Sequence, residues 1–222
     1  MQVAPSVYFY PFTSFRENNC NSVIIDGPEK VLIDPGHKHL WPQLKSQIEA
    51  DGLDPADISL VLHTHCHPDH MEAGEILEFE YGATQAMSRV EADFLNGSGR
   101  EIFAMMGLDC PRGSIGRLLD EGPLDLGDKT LQLYLSPGHT PGSLCVHWPE
   151  SKVLISGDVI FAQSMGRWDF AGGDVSALSA SIERLSALPD VDLLLPGHGP
   201  TVVGAAKVEA NFKSVKTYLQ RF

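Results

Sequence analysis

The amino-acid sequence predicts an α/β protein with the architecture of a four-layer αββα sandwich. Two observations predict it: β-like runs alternate with amphipathic helical stretches, and a series of strands, helix and strand followed by helix occurs twice along the chain. Each half offers a sheet with helices on one face, and two such halves can bury their other sheet faces against each other. A mixed α/β sheet of another topology fits the same order of elements and is the alternative. Because 43% of the residues are hydrophobic, the chain can form a sizeable core. We expect residues 1–222 to make a single domain.

The first half begins with three runs that are typical of successive antiparallel strands. They are SVYFY (6–10), NSVIID (21–26) and KVLID (30–34). Leu40, Leu44 and Ile48 recur every four residues before Gly52, which predicts an amphipathic helix. The run DISLVL (57–62) then predicts a buried strand. We expect a helix over 71–79, a strand at 83–87, a helix at 88–95, and a helix plus loop over 97–122.

The second half has the same character. TLQLYL (130–135), SLCVHW (143–148) and KVLIS (152–156) predict three strands of a second sheet. A helix follows, with apolar positions at Leu178, Ile182, Leu185 and Leu188, and then the strand DLLLP (192–196). The last helix carries its apolar stripe on Val208, Phe212, Val215 and Leu219.

Charge and cysteine content limit the partners. Sixteen basic and twenty-nine acidic residues give a net charge of -13, which disfavours nucleic acid and anionic membrane surfaces. The sequence lacks an apolar run long enough for a membrane span, and it lacks a basic, apolar leader at its start.

Four scattered cysteines without a CxxC spacing indicate reduced thiols. We therefore expect a cytoplasmic protein that acts on a small molecule; the sequence does not predict its oligomeric state.

The stretch THCHPDH (64–70) is the strongest functional signal. Clustered imidazoles repel one another when protonated and lose hydration when neutral, so a divalent cation is the expected compensation. In extended backbone, His65 and His67 point the same way and can share one cation. Pro68 then turns the chain, so that Asp69 and His70 can face a second cation.

Three later loops supply further ligand types, and each follows a predicted strand and is flanked by glycine. They contain His139 in SPGHTPGS, Asp158 in ISGDVIF and His198 in LLLPGHGP. His139 can complete the first site and His198 the second, with Asp158 between them. Neither site is then saturated, which leaves room for a water or hydroxide between the cations.

The ordered set THCHPDH, PGHTPGS, SGD and PGHGP resembles the metallo-β-lactamase fold superfamily. The segment GDVIFAQSMGRWDFAGGD (157–174) is similar to that of glyoxalase II-like hydrolases, which cleave glutathione thioesters. The resemblance implies the αββα sandwich and two divalent metal ions, zinc being expected and iron or manganese the alternatives. It implies that His65, His67 and His139 bind one metal, that Asp69, His70 and His198 bind the other, and that Asp158 bridges them.

The chain also departs from glyoxalase II. Full-length members continue into a helical domain with basic glutathione contacts, whereas this chain ends 24 residues after His198, as expected of a short single-domain member. Arg167 corresponds to a basic glutathione contact, but Trp168, Asp169 and Phe170 stand where the family has a tyrosine. Asp34 resembles an aspartate that orients a metal-bound imidazole; a plain turn carboxylate is the alternative.

These observations predict a metal-dependent hydrolase that cleaves an ester or thioester, with glutathione thioesters as one candidate class. A hydroxide bridging the cations would attack the carbonyl carbon, and Asp69 and Asp158 would be the catalytic carboxylates. The first alternative is a persulfide dioxygenase-like oxidoreductase with one iron on the first site, because those enzymes share a THCHxDH run and a GRxD segment. A phosphodiesterase on the same scaffold and a non-catalytic, metal-stabilised module are further alternatives. We expect His63 and His147 to be structural and Cys66 to have no catalytic role.

Overall fold

Two β-sheets pack face to face between helices in the computed structural model, which describes residues 1–14 and 16–221. The first sheet has seven strands in chain order, namely β1 (Gln2–Ala4), β2 (Val7–Tyr10), β3 (Ser22–Ile25), β4 (Lys30–Ile33), β5 (Ile58–Leu62), β6 (Thr84–Ser88) and β7 (Ile115–Leu119). The pairs from β1 to β4 are antiparallel and those from β4 to β7 are parallel. The three antiparallel strands predicted at the start are thus confirmed.

The second sheet has six strands in the order β15, β14, β11, β10, β9 and β8. Its strands are β8 (Gly122–Asp125), β9 (Thr130–Leu135), β10 (Leu144–Trp148), β11 (Val153–Gly157), β14 (Leu193–Pro196) and β15 (Val202–Val203), and a separate hairpin joins β12 (Ile160–Phe161) to β13 (Ser164–Met165). Only β11 and β14 pair in parallel, because the helix between them carries the chain back to the same end of the sheet.

Helices cover the outer faces. They are α1 (Trp41–Ala50), α2 (Pro68–Met71), α3 (Gly74–Tyr81), α4 (Arg89–Asn96), α5 (Arg100–Met105), α6 (Val175–Leu185) and α7 (Ala205–Leu219). Short 3-10 turns occur at Lys38–Leu40, Pro55–Asp57 and Pro149–Ser151. Among the described residues, no helix combines the length and apolar character that a membrane crossing needs.

The four layers follow from alternation along the strands. Val31 and Ile33 of β4 face the second sheet, in one core cluster with Leu133 and Val146. Leu32, between them, faces outward and packs in the cluster that contains Leu44 and Ile48 of α1. Helices α6 and α7 cover the other outer face in the same way. The predicted αββα sandwich is confirmed, because successive strand residues point to opposite faces and both faces are apolar.

Three local predictions need correction. The region 97–122, predicted as helix plus loop, also contains β7, whose sequence IGRLL alternates weakly and lies at the sheet edge. The helix predicted over 71–79 is two helices, α2 and α3, separated where the Ala73 amide donates to the carbonyl of Gly36. Leu40 precedes α1 and Leu188 follows α6.

The loops of the two sheets are joined at one end of the sandwich. The backbone N–H of Leu144 donates to the carbonyl of Thr64 at 2.8 Å, and that of Asn21 donates to the carbonyl of Gly197 at 2.6 Å. The Gly197 amide donates in turn to the carbonyl of Gly157 at 2.8 Å. Loops from different layers are therefore fixed relative to one another by hydrogen bonds of the main chain.

Glu91, a residue of α4, forms hydrogen bonds to two loops at this end of the sandwich. Its buried carboxylate accepts hydrogen bonds from the backbone of Cys66 at 2.8 Å, from the Thr140 hydroxyl at 2.9 Å and from the backbone of Gly142 at 2.8 Å. Burial raises the pKa of this carboxyl, yet several donors converge on it, which compensates for its lost hydration. The same contact brings the backbone of Gly142 directly against that of Glu91.

Gly142→Ala tests this close approach. A Cβ atom there would overlap the backbone nitrogen and Cα of Glu91, so the loop must move, and we expect the free energy of unfolding to fall by about 1–3 kcal/mol or more, as for overpacking. Gly97→Ala is the matched control, because its added Cβ would meet nothing nearer than 3.6 Å. Urea unfolding of the two metal-free variants measures the difference. Equal stabilities would show that the loop does not pack tightly on α4.

Candidate metal centre

Two histidines and a short helix follow strand β5. His65 and His67 lie in the loop, with ring centroids 4.6 Å apart. His67 has extended backbone angles, and α2 begins at Pro68, whose fixed φ suits the first position of a helix. The helical turn carries Asp69 and His70 away from the direction of the loop. A single stretch of seven residues therefore contributes side chains to two neighbouring groups.

The first group consists of His65, His67 and His139. The Nε2 atom of His139 lies 3.2 Å from Nε2 of His65 and 2.9 Å from Nδ1 of His67. Nitrogen ligands bound to one tetrahedral Zn²⁺ at ordinary bond lengths are separated by roughly 3.3 Å. The three nitrogens thus have the spacing of ligands around a single cation.

The outer contacts of two of these rings decide which nitrogen carries the proton. Nδ1 of His139 lies 2.6 Å from the carbonyl oxygen of Arg167, which can only accept, so this nitrogen carries hydrogen. The Thr64 hydroxyl donates to Asp34 at 2.6 Å, so it accepts from Nδ1 of His65 at 3.1 Å. In the neutral rings, both Nε2 atoms therefore present lone pairs to each other. A cation between them turns this repulsion into attraction.

The second group consists of Asp69, His70 and His198. Nε2 of His198 lies 3.2 Å from Nε2 of His70 and 3.2 Å from Oδ2 of Asp69, whereas Nε2 of His70 and Oδ2 of Asp69 are 4.0 Å apart. Asn18 also donates to Oδ2 of Asp69, at 2.6 Å. Two imidazoles and a carboxylate, each offering one atom, again surround a common point.

Asp158 lies between the two groups. Its Oδ1 is 3.3 Å from Nε2 of His70, and its Oδ2 is 3.5 Å from Nε2 of His198 and 3.6 Å from Nε2 of His139. Oδ1 is buried without a hydrogen-bond partner. Such an orphaned carboxylate oxygen is costly unless a cation or donor reaches it. Together with the facing lone pairs, it shows that the donor set fits divalent cations.

Asp34 contacts the outer nitrogen of the His70 ring. Its Oδ1 accepts from the backbone of Thr64 at 2.8 Å, and its Oδ2 accepts from Nδ1 of His70 at 2.9 Å. The residue adopts a left-handed φ of 54°, and the Ser22 hydroxyl donates to its carbonyl at 2.6 Å. A carboxylate on the far nitrogen directs Nε2 of His70 into the site and makes that nitrogen more basic. The contacts exceed those of a plain turn carboxylate.

The two groups differ in their electrostatics: burial disfavours protonated imidazoles in the first, whereas carboxylates favour a protonated His70 in the second. Burial holds the pKa of His65 well below its usual range and lowers that of His67 to about 3. For His70, burial opposes the charged form, but the carboxylates of Asp158 and Asp34 outweigh it and raise the pKa well above its usual range. Burial would raise the pKa of Asp158, yet His70 and His198 hold it well below its usual range.

His198 is the most accessible of the seven side chains. Six of the seven side chains are buried, and His198 is one quarter exposed. Phe161 packs edge-on to His198 with ring centroids 5.8 Å apart, and Phe170 packs edge-on to His67 at 5.9 Å. Aromatic rings thus flank the centre, and a substrate would approach past His198.

The backbone of Arg167 contacts a candidate metal ligand, whereas its side chain contacts its own neighbours. Its carbonyl accepts from His139, whereas its guanidinium forms two hydrogen bonds with Asp169, at 2.8 and 2.7 Å, and lies 4.1 Å from the ring centroid of Phe170. Both charged groups are exposed. The predicted substrate-binding cation is therefore already paired.

His63 and His147 are buried outside the two groups. Nε2 of His63 hydrogen-bonds to Gln85 at 2.9 Å, and His147 is buried in β10 beside Tyr134. Cys66 is buried, and burial raises the pKa of its thiol well above the usual range, which makes it a poor nucleophile.

A third cluster of ligand types, His37, His39 and Glu72, lies outside the centre. Nδ1 of His37 and Oε2 of Glu72 form a hydrogen bond of 2.8 Å, so the buried groups there are already satisfied.

Sequence reasoning missed Asn18, Glu91, Phe161 and Phe170. Glu91 resembles any surface acid of an amphipathic helix, and Asn18 belongs to a loop with no regular pattern. The positions of Phe161 and Phe170 in the segment 157–174 were the one available signal.

Comparison with known proteins agrees with this arrangement. The model of the metallo-beta-lactamase superfamily matches residues 15–198. A probable metallo-hydrolase of Methanocaldococcus jannaschii is 36% identical over 185 residues, which cover 81% of this chain and 87% of the relative. The hydroxyacylglutathione hydrolase GloC of Haemophilus influenzae is 31% identical over 221 residues, covering 96% and 100%.

Solved structures give the same result. The B3 metallo-beta-lactamase BLEG-1 superposes with a TM-score of 0.79 at 26% identity, covering 96% of this chain and 99% of the other. The protein TTHA1623, solved in a di-iron-bound form, superposes with a TM-score of 0.73 at 31% identity, covering 87% and 94%. This fold with its His and Asp clusters implies divalent metal binding. The chain belongs to the metallo-beta-lactamase superfamily.

Proposed function

We propose that this protein is a hydrolase that binds two divalent cations and cleaves an ester or thioester. The observation that carries the proposal is the convergence of two adjacent groups of ligand atoms, with an unpartnered carboxylate oxygen between them. The seven proposed metal ligands are His65, His67, Asp69, His70, His139, Asp158 and His198.

Each group would hold one cation. His65, His67 and His139 supply three nitrogens to the first, and the second receives one atom each from Asp69, His70 and His198. Asp158 lies within 3.6 Å of members of both groups, which suits a carboxylate that bridges them. Three protein ligands and a shared carboxylate leave a position open for water, as catalytic rather than structural sites do.

The charge balance suits an anionic transition state. Neutral imidazoles and the two carboxylates leave a net positive charge once two divalent cations are bound. Bound cations would supply Lewis acidity and a water or hydroxide of lowered pKa. The chain's own side chains would fix the ligand atoms, and the burial of six of the seven side chains would limit the access of bulk water.

The reaction is a balanced hydrolysis. The oxygen of water bonds to the acyl carbon while the bond from that carbon to sulfur or oxygen breaks, and the leaving group departs with the electron pair. The products are a carboxylic acid and a thiol or alcohol. Because a thiol has a pKa of about 8.5, a thiolate can leave without a dedicated general acid. This favours thioesters at a site whose buried carboxyls, Asp69 and Asp158, have pKa values held well below their usual range.

The names of two relatives support hydrolysis, one in general terms and one for a specific substrate class. The archaeal relative is named a probable metallo-hydrolase, and GloC is named a hydroxyacylglutathione hydrolase. We propose zinc as the metal, with iron as the main alternative because TTHA1623 was solved with two irons. The four free cysteines support work in a reducing compartment such as the cytoplasm.

The single-iron oxidoreductase alternative is less well supported. It needs only the first group of ligands, whereas the contacts of His198 with Asp69 and His70 assemble a second. Within residues 1–14 and 16–221, no particular contact favours a phosphodiesterase.

Metal content and turnover measured together test the function. We expect about two cations per chain by elemental analysis, and hydrolysis of a panel of thioesters and esters that includes lactoylglutathione. Chelation should abolish turnover, and restoring the metal should recover it. One iron per chain with oxygen consumption on glutathione persulfide would contradict the proposal, as would full activity in metal-free protein.

Asp158→Asn tests whether Asp158 bridges the two cations, because the substitution keeps the side-chain volume. The amide keeps the volume but removes the charge shared by the two groups, so we expect metal loading to fall and kcat to drop by more than about 100-fold, beyond the roughly 10–100-fold typical of outer partners. Asp169→Asn is the matched control, since this exposed carboxylate pairs only with Arg167 among the contacts described. Equal metal content in the two variants would reject the bridge.

Asp34→Asn should give a graded effect. The amide cannot accept all the hydrogen bonds from Thr64 and His70, so we expect metal affinity to fall by roughly 10–100-fold while saturating metal restores the full stoichiometry. Titration of metal-free protein against a competing chelator measures this. Wild-type affinity in the variant would show that Asp34 does not orient the ligand.

A further inference from the structure

A groove of about 650 Å³ opens beside His198, between the loop that follows β2 and the loop that follows β14. Its described walls are mainly apolar and are contributed by Met1, Val3, Phe9, Pro11, Phe12 and Pro200. Sites for small ligands typically have this size and character, with a few polar groups that set orientation.

The groove reaches the proposed second metal group. His198 belongs to its lining, and so does Asn18, whose amide donates to Oδ2 of Asp69 at 2.6 Å. Because His198 is the exposed member of the ligand set, a substrate whose carbonyl lies at the centre can extend along this groove. The groove is thus continuous with the reacting position.

Positive charge is missing from the described part of the groove. Among its described lining residues, Glu17 is the only ionisable side chain apart from His198. The amino group of Met1 is paired with the carboxylate of Asp51 at 2.8 Å. Arg167, the cation that the family resemblance connects with glutathione, is paired with Asp169. An anionic substrate would therefore find a carboxylate and no cationic side chain among the described lining residues, which do not include the exposed Arg16 of the same loop.

We propose that the preferred substrate is an ester or thioester that carries an uncharged, apolar group in this groove, rather than a glutathione conjugate. The inference rests on the proposed hydrolase function and narrows its substrate class. Glutathione carries two carboxylates and one ammonium group near pH 7. Burying a carboxylate without a partner is unfavourable, whereas an apolar chain gains from contact with Phe9, Phe12 and Pro200.

Two thioesters that differ only in the thiol carrier test whether the protein prefers an uncharged carrier. The same butyryl group is joined to N-acetylcysteamine, which is uncharged, or to glutathione, and kcat/KM is measured with the metal-loaded protein. We expect the uncharged carrier to be preferred by at least about tenfold, since an unpaired charge in a binding site typically costs that much. Equal or higher kcat/KM with glutathione, including S-lactoylglutathione, overturns the inference and leaves the hydrolase function intact. If no thioester or ester is hydrolysed, the proposed function fails as well.

Chain length tests the groove itself. Going from S-butyl to S-hexyl as the thiol carrier of the same acetyl group should raise kcat/KM by about three- to tenfold, since full burial of two more methylenes corresponds to roughly 15-fold. Phe12→Ala should reduce this ratio. Phe79→Ala is the matched control, because Phe79 is an exposed phenylalanine of α3 outside the groove, and it should leave the ratio unchanged. A ratio that is the same in wild type and Phe12→Ala would contradict the placement of the thiol carrier in the groove.

Discussion

The close approach of imidazole nitrogens that present lone pairs to one another is the constraint on which the rest of this structure depends. Nε2 of His139 and Nε2 of His65 are 3.2 Å apart while the outer nitrogens of both rings are engaged by acceptors. A neutral pair in this geometry is repulsive, and a protonated pair would be charged in a buried place. A divalent cation removes both difficulties, because it replaces lost hydration with direct coordination. Oδ1 of Asp158 is buried without a hydrogen-bond partner, and a cation would stabilise it in the same way.

The scaffold meets this constraint by bringing the ends of four strands to one end of the sandwich. The ligand loops follow β5, β9, β11 and β14 and so belong to both sheets. Two buried carboxylates then fix their relative positions: Glu91 joins the loops of Cys66 and Thr140, and Asp34 joins Thr64 to His70. Rigid layers beneath the loops limit their freedom, so the ligand atoms are pre-organised. The apolar groove and the flanking aromatic rings then define how a substrate can approach.

Much of this was accessible from the sequence, because strand periodicity and ligand residue types are local signals. Runs such as KVLID and DISLVL were consistent with the αββα layers, which the family resemblance implied, and the THCHPDH stretch indicated cations. Glu91 was not accessible, because its burial arises only when the loop of Gly142 packs on α4. Strand β7 was missed since Gly116 and Arg117 break its apolar alternation at the sheet edge. The pairing of Arg167 with Asp169 also needed coordinates, and it changes what the site can recognise.

Anomalous X-ray scattering from crystals of the metal-loaded protein, measured at the absorption edge of the bound metal, tests the account most directly. The account predicts two peaks per chain, one among the ring nitrogens of His65, His67 and His139 and one among the side chains of Asp69, His70 and His198, with Asp158 between them. A single peak confined to the first group, or metal bound elsewhere while these nitrogens keep their short separations, would contradict it.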